Sequence, residues 1–182
     1  IDAGAPADVV LLAAPVWMTW LRDRGAVQAD AVVDLLGNSL VLIAPADNNI
    51  APDPADLAGA LGDARLAMGQ RDAVPAGIYA REWLEVTGQW EAITPHLAET
   101  DNVRSALALV ARAETPLGVV YRTDALAEPQ VRILYDIPQD THSPITYPAA
   151  ALTDSGAAFM AHLQSDDARA VFARHGFKPL PE

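Results

Sequence analysis

Short uninterrupted apolar runs alternate along this chain with stretches in which apolar residues recur every three or four positions. That alternation is the signature of an α/β protein. Asp8 to Ala13 carries no polar alternation, which predicts a strand buried on both faces, as inside a parallel sheet. Pro15 suits the first position of a helix that runs through Trp17, Met18, Trp20 and Leu21 and ends near Gly25. A second helix is expected from about Gln28 to Leu36, where Gly37-Asn38 stops it. Ser39 to Ala44 predicts another buried strand, closed by Pro45.

Asn48 to Pro54 is polar and proline-rich and reads as a loop, with Asp53 placed to cap a short helix carrying Leu57 and Leu61. Arg65 to Gly69 predicts a strand, and Asp72 to Gly77 a turn that opens a helix. That helix sets Tyr79, Trp83, Val86 and Trp90 at helical spacing, with Gly88 as a possible break. A further helix begins at Thr100-Asp101-Asn102 and buries Val103, Leu107 and Val110; Pro116 bars its continuation. Leu117 to Tyr121 and Val131 to Tyr135 predict strands. Ile145 to Leu152 predicts one more, which Pro148 confines to an edge or a bulge. Two helices close the chain, the last capped by Ser165, with Asp166 and Asp167 in its first turn and Arg174, His175 and Gly176 at its end.

Composition narrows the functions. The chain has 182 residues, enough for one domain or two small lobes with a real core. Half of it is apolar, and it contains no cysteine, which excludes disulfides and thiolate metal sites. Lys+Arg is 12 against Asp+Glu 24, a net charge of -12, so no basic face for nucleic acid is expected. The longest apolar stretch, Val9 to Met18, is too short to span a bilayer. No phosphate loop, dinucleotide fingerprint, nucleophile elbow or zinc-hydrolase motif occurs, and His96, His142, His162 and His175 are scattered as surface or capping residues would be. No spacing proposes a catalytic acid pair, so an enzyme is not the expected class.

Two helix starts carry candidate chemistry. The first amides of a helix lack intrahelical acceptors, and the macrodipole adds about half a positive charge there. Val74-Pro75-Ala76-Gly77 surrounds such amides with small side chains, and Asn102-Val103 opens a second helix in the same way. Each is either a seat for a small anion or an ordinary helix start solvated by water. Tyr121 closes a buried strand, where its phenol is a donor at the rim or a packed core residue. Trp17, Trp20, Trp83 and Trp90 read as core rather than as an aromatic platform.

The chain resembles the periplasmic molybdate-binding proteins of ABC import systems, which belong to the type 2 periplasmic binding proteins. The matching stretches include Gly4 to Asp8 (GAPAD), Gly37 to Val41 (GNSLV), Val74 to Ala80 (VPAGIYA), Ala106 to Val110 (ALALV) and Pro116 to Tyr121 (PLGVVY). The resemblance implies an α/β fold of two lobes with mixed sheets: residues 1–41 with 145–182 in lobe I, and residues 42–144 in lobe II. It implies crossing strands near Ser39 to Ala44 and Ile145 to Leu152, and an anion in the cleft. The donors it implies are the backbone amides of Ala76 and Val103 and the hydroxyl of Tyr121. The ligand it implies is molybdate, with tungstate beside it, and no cofactor and no direct protein–metal bond. The partner it implies is an ABC permease, and the location it implies is the periplasm.

The chain also departs from the family pattern. A βαβ stretch with two serine-bearing donor loops precedes GAPAD in the family, so lobe I is expected to be incomplete at its N-terminus by roughly 30 residues or more. A fragment of that kind is expected to expose a hydrophobic edge at Val9 to Leu12 and to be unstable or self-associating. Arg71, before VPAGIYA, is a candidate for altering anion selectivity at the cleft mouth, and Leu12 to Val16 is a candidate partner contact. The alternatives are another oxyanion or a small organic acid on the same fold, or a fragment that no longer binds its ligand. The charge of -12 repels anions at long range, so local dipoles must dominate at the site.

Overall fold

The computed structural model describes residue 1 and residues 4–180. The chain divides into two compact units, Ile1–Asn38 with Ile145–Glu182, and Ser39–Pro144. In chain order the first part carries strand β1 (Val9–Leu11), helix α1 (Pro15–Asp23) and strand β2 (Val32–Gly37). The inserted unit carries β3 (Leu40–Pro45), α2 (Leu57–Leu61), β4 (Leu66–Gly69), α3 (Pro75–Val86), α4 (Trp90–Ile93) and β5 (Leu97–Thr100). It continues with α5 (Val103–Ala111), β6 (Leu117–Tyr121), α6 (Arg122–Ala127) and β7 (Val131–Asp136). The chain then returns to the first unit with β8 (Thr146–Ala151), α7 (Asp154–Leu163), α8 (Asp166–Arg174) and the short β9 (Lys178–Pro179).

The inserted unit is built on a mixed five-stranded sheet of order β5-β4-β6-β3-β7. β4 runs parallel to β5 and β6, while β3 pairs antiparallel with β6 and β7. All six residues of β3 are buried, as the uninterrupted run LVLIAP requires of an interior strand. Val41, Ile43, Ala67 and Val120 pack beneath Ala106, Leu107 and Val110 of α5. Trp83 of α3 is fully buried, and the break expected at Gly88 occurs: α3 ends at Val86, Gly88 takes φ +71°, and Trp90 starts a separate helix. The cap of α2 is Asp56, whose carboxylate accepts from the Gly59 amide at 3.0 Å; Asp53 instead closes the preceding turn on the Ala55 amide. Strand β5 had no counterpart in the pattern, because Leu-Ala-Glu-Thr is too short and polar to stand out.

The first unit corrects three expectations. Residues 28–36 do not form a helix: Ala29–Ala31 makes one 3₁₀ turn and Val32–Gly37 is a strand, where pairing with β8 and the β-branched Val32-Val33 override the period. β1 is neither in a parallel pairing nor buried on both faces, since Leu11 is exposed. Among the described residues it pairs only with β8, antiparallel, in the sheet order β1-β8-β2-β9. For β8 the bulge, of the two alternatives expected at Pro148, is the one present: the strand lies between β1 and β2, and Pro148 sits opposite Asp34 where the register to β2 shifts. That bulge absorbs the missing ladder donor, and the Pro148 carbonyl accepts from the Leu12 amide at 3.0 Å. The last helix is as expected, with the Ser165 hydroxyl accepting from the Ala168 amide. Trp17 and Trp20 are solvent-exposed rather than core, and the Arg24 guanidinium covers the Trp20 ring at 3.7 Å.

Candidate functional site

The three parallel strands of the inserted unit end side by side. Gly69 of β4 is in register with Thr100 of β5, and the ladder extends one step further, the Gln70 amide donating to the Thr100 carbonyl at 2.8 Å. From the end of β4 the chain turns through Gln70 to Val74 into α3, from β5 through Asp101-Asn102 into α5, and from β6 at Tyr121 directly into α6. Ala76, Val103 and Tyr121 therefore all follow the carboxyl ends of three adjacent parallel strands, the place where open α/β sheets hold ligands.

Local sequence explains each start. Pro75 stands at the first position of α3, where the missing N–H is no loss. Gly77 lets the helix rest on the strand end: a Cβ there would run into the Gly69 carbonyl and lie 2.6 Å from the Gln70 carbonyl. Gly69 answers it, since a Cβ there would lie 2.5 Å from Val74 Cγ1. Ala76 is consequently fully buried. The Gly77 and Ile78 amides both donate to the Val74 carbonyl, at 2.8 and 3.0 Å, whereas no acceptor among the described residues takes the Ala76 amide. At α5, Asn102 is extended (φ -159°, ψ 161°) and its side-chain oxygen accepts from the Ser105 amide at 2.8 Å. Ala106 returns to the Asn102 carbonyl, and the Val103 amide likewise has no acceptor among the described residues. The Thr100 hydroxyl steadies this turn by donating to the Asn102 carbonyl at 2.8 Å. Tyr121 is buried at the end of β6, in register with Leu40.

Arginines flank all three positions, and each is engaged by a carboxylate. Arg71 meets Glu99 through two parallel contacts, Nε–Oε1 at 2.9 Å and Nη2–Oε2 at 2.7 Å, and its own amide donates to the same carboxylate. The hydrogen bond from Arg71 holds the Glu99 carboxyl below the ordinary carboxylate range. The Arg71 guanidinium also lies 5.1 Å from the Trp90 ring. Arg71 is thus the centre of a local network rather than a free cation. Arg104 Nε lies 2.8 Å from Asp124 Oδ1, and Arg122 pairs with Asp136. Burial pushes the Asp124 carboxyl up, and the neighbouring Arg104 offsets this only in part. These acids escaped the sequence reading, because partners 14 to 28 residues apart leave no local spacing to find. Among the described residues no group of three or more His, Asp or Glu could hold a metal ion, and no helix is long and apolar enough to cross a membrane.

Comparison with known proteins shows the family of the chain. The profile of a family described as bacterial extracellular solute-binding proteins matches residues 1–178. The chain is 40% identical over 185 residues to the molybdate-binding protein ModA of Escherichia coli strain K12, covering 97% of this chain and 72% of that one. This chain belongs to the bacterial extracellular solute-binding protein family. This solute-binding protein is also 38% identical to the molybdate-binding protein ModA of Haemophilus influenzae, with 97% of it and 72% of the relative covered. Among solved structures, the substrate-binding domain of a putative molybdenum ABC transporter from Clostridium difficile superposes with a TM-score of 0.85 at 29% identity, covering 99% of this chain and 80% of that one. The periplasmic molybdate-binding protein of Azotobacter vinelandii shares the fold, with a TM-score of 0.81 at 19% identity and 99% and 81% of the two chains covered. The α/β periplasmic binding fold expected from the sequence is the fold of this solute-binding protein.

Proposed function

We propose that this solute-binding protein captures molybdate, and tungstate by the same geometry, in the periplasm for delivery to an ABC permease, and that it is not an enzyme. The observation that carries the reading is the pair of acceptor-less amides, Ala76 and Val103, at helix starts that follow neighbouring parallel strands, with Tyr121 ending the third. The ModA relatives supply the ligand class. The two amides point their partial positive charge at a tetrahedral dianion, and the Tyr121 hydroxyl donates a third hydrogen bond. A helix N-terminus holds such an anion without a formal cation. The two backbone N–H groups are donors only and have no acceptor to offer a protonated oxygen. They therefore select a fully deprotonated anion and tell large from small tetrahedra by distance.

Titration calorimetry with molybdate, tungstate, sulfate and phosphate tests this. Val103→Pro removes one amide at a helix position that tolerates proline, after a residue already extended. Tyr121→Phe removes the hydroxyl. Each lost hydrogen bond to the charged ligand is worth about 1.5 to 3 kcal/mol, so each variant is expected to bind molybdate about 10- to 100-fold more weakly. Unchanged affinity in both variants, or no molybdate binding by the parental chain, overturns the reading.

A further inference from the structure

An arginine adjoins each proposed donor: Arg104 follows Val103, Arg122 follows Tyr121, and Arg71 lies on the turn into α3. A binding protein for an anion has an evident use for such cations, yet Glu99, Asp124 and Asp136 occupy all three. Asp124 is the informative case. Its side chain is only 7% exposed while that of Arg104 is 70% exposed. A buried carboxylate paired with one solvated guanidinium is a poor stabilising device, because desolvation outweighs the attraction. The upward push on the Asp124 carboxyl has that cause and that sign. An Arg104 left in water, with an apolar residue in place of Asp124, would stabilise the fold better. What the pair does achieve is to fix where the Arg104 charge lies.

We propose that Asp124 is a specificity-determining residue, tying down the Arg104 guanidinium so that an anion docked at the Val103 amide meets uncharged donors alone. The inference rests on the anion-binding reading above. A guanidinium binds sulfate, phosphate and carboxylates alike through charge and a planar fork of donors. Neutral amides discriminate by distance and by the acceptor state of the anion. An unrestrained arginine one residue from Val103 would add affinity for every oxyanion and erase that discrimination. Glu99 applies the same restraint to Arg71 on the α3 side.

The test measures sulfate, phosphate and molybdate affinities of the full chain by titration calorimetry for the parent, Asp124→Asn, Arg104→Gln and the double variant, with melting curves to establish folding. Asp124→Asn is expected to gain about tenfold in sulfate and phosphate affinity relative to molybdate, the worth of one charge-assisted contact. That gain should shrink at high ionic strength, as screening requires. The double variant should return to the parental ranking, because the cation is gone. A parent that binds molybdate alongside an Asp124→Asn variant with the parental ranking overturns the inference and leaves the functional reading standing. A double variant that keeps the relaxed ranking also overturns it. A parent that binds none of the three anions removes both. Should Asp124→Asn not fold, Glu99→Gln at the exposed pair carries the same expectation and the same refuting result.

Discussion

The two units treat their strands differently. In the inserted unit β3 lies between two neighbours, and Leu40 to Ala44 are wholly excluded from water. In the other unit β1 has one neighbour among the described residues, and its Leu11 is 46% exposed. Val16 and Trp17 on the following helix are exposed as well, at 66% and 57%. Both stretches read alike in sequence, as short apolar runs closed by a proline. What separates them is the number of partners a strand receives, which sets both its burial and its capacity to position anything. The proposed donors all belong to the unit whose sheet sets three parallel strands side by side.

Core truncation is the largest way to sharpen that contrast. Leu42→Ala in β3 should lower stability by about 3 to 5 kcal/mol, while Leu11→Ala in β1 should cost under about 1 kcal/mol. Urea unfolding of each variant measures the difference, and equal losses would abolish the distinction between the strands. Backbone approach comes next. Gly77→Ala drives a methyl into the Gly69 carbonyl, and Gly156→Ala drives one into the Asp8 carbonyl beside β1. Gly77 faces an interior strand end, so its variant should lose about 2 to 3 kcal/mol and most molybdate binding. Gly156 faces a strand with one neighbour, which can move away, so a smaller loss is expected with affinity retained. Calorimetric melting paired with titration separates the two.

Association is the third contrast. A β1 edge with no partner among the described residues, beside exposed Leu11, Val16 and Trp17, favours self-pairing. Leu11→Lys should shift sedimentation toward the monomer, whereas a charge on the exposed Val86 of α3 should leave it unchanged.

The smallest effect is acid dependence within the inserted unit. Asp124 has a raised folded carboxyl, so the folded state binds its proton more tightly than the unfolded chain does. Its contribution favours folding in acid and declines as pH rises from the ordinary carboxylate range through the raised value. Glu99 has a lowered folded carboxyl, so its contribution is present above the ordinary range and is lost as pH falls through the lowered value. Asp124→Asn should therefore flatten a loss of stability with rising pH, and Glu99→Gln should flatten a loss with falling pH. Urea midpoints across the acid range check both signs; matching shifts in the two variants would contradict them.

Much of the site was legible before any coordinates, because its local parts are punctuated. Pro75 and Asn102 mark helix starts by chemistry that acts within three residues, one lacking an N–H and the other supplying a cap. The uninterrupted runs of β3 and β6 marked interior strands, and Pro148 marked an edge or a bulge, of which the fold uses the bulge. Strand β5 escaped because its four residues carry neither a run nor an alternation, and β2 was misread as helix because Val32 to Leu36 fits either period.

By itself, the order of residues determined the helices that open at Pro75 and Val103, the strand that ends at Tyr121, the absence of thiol chemistry and the acidic balance, since each follows from short-range sterics or simple counting. Tertiary structure alone decided that β1 pairs antiparallel with β8, that Gly77 rests on Gly69, and that Arg104 is claimed by Asp124. Those outcomes depend on which distant segments meet, and a chain's pairings across tens of residues are set by the whole packing rather than by any local spacing.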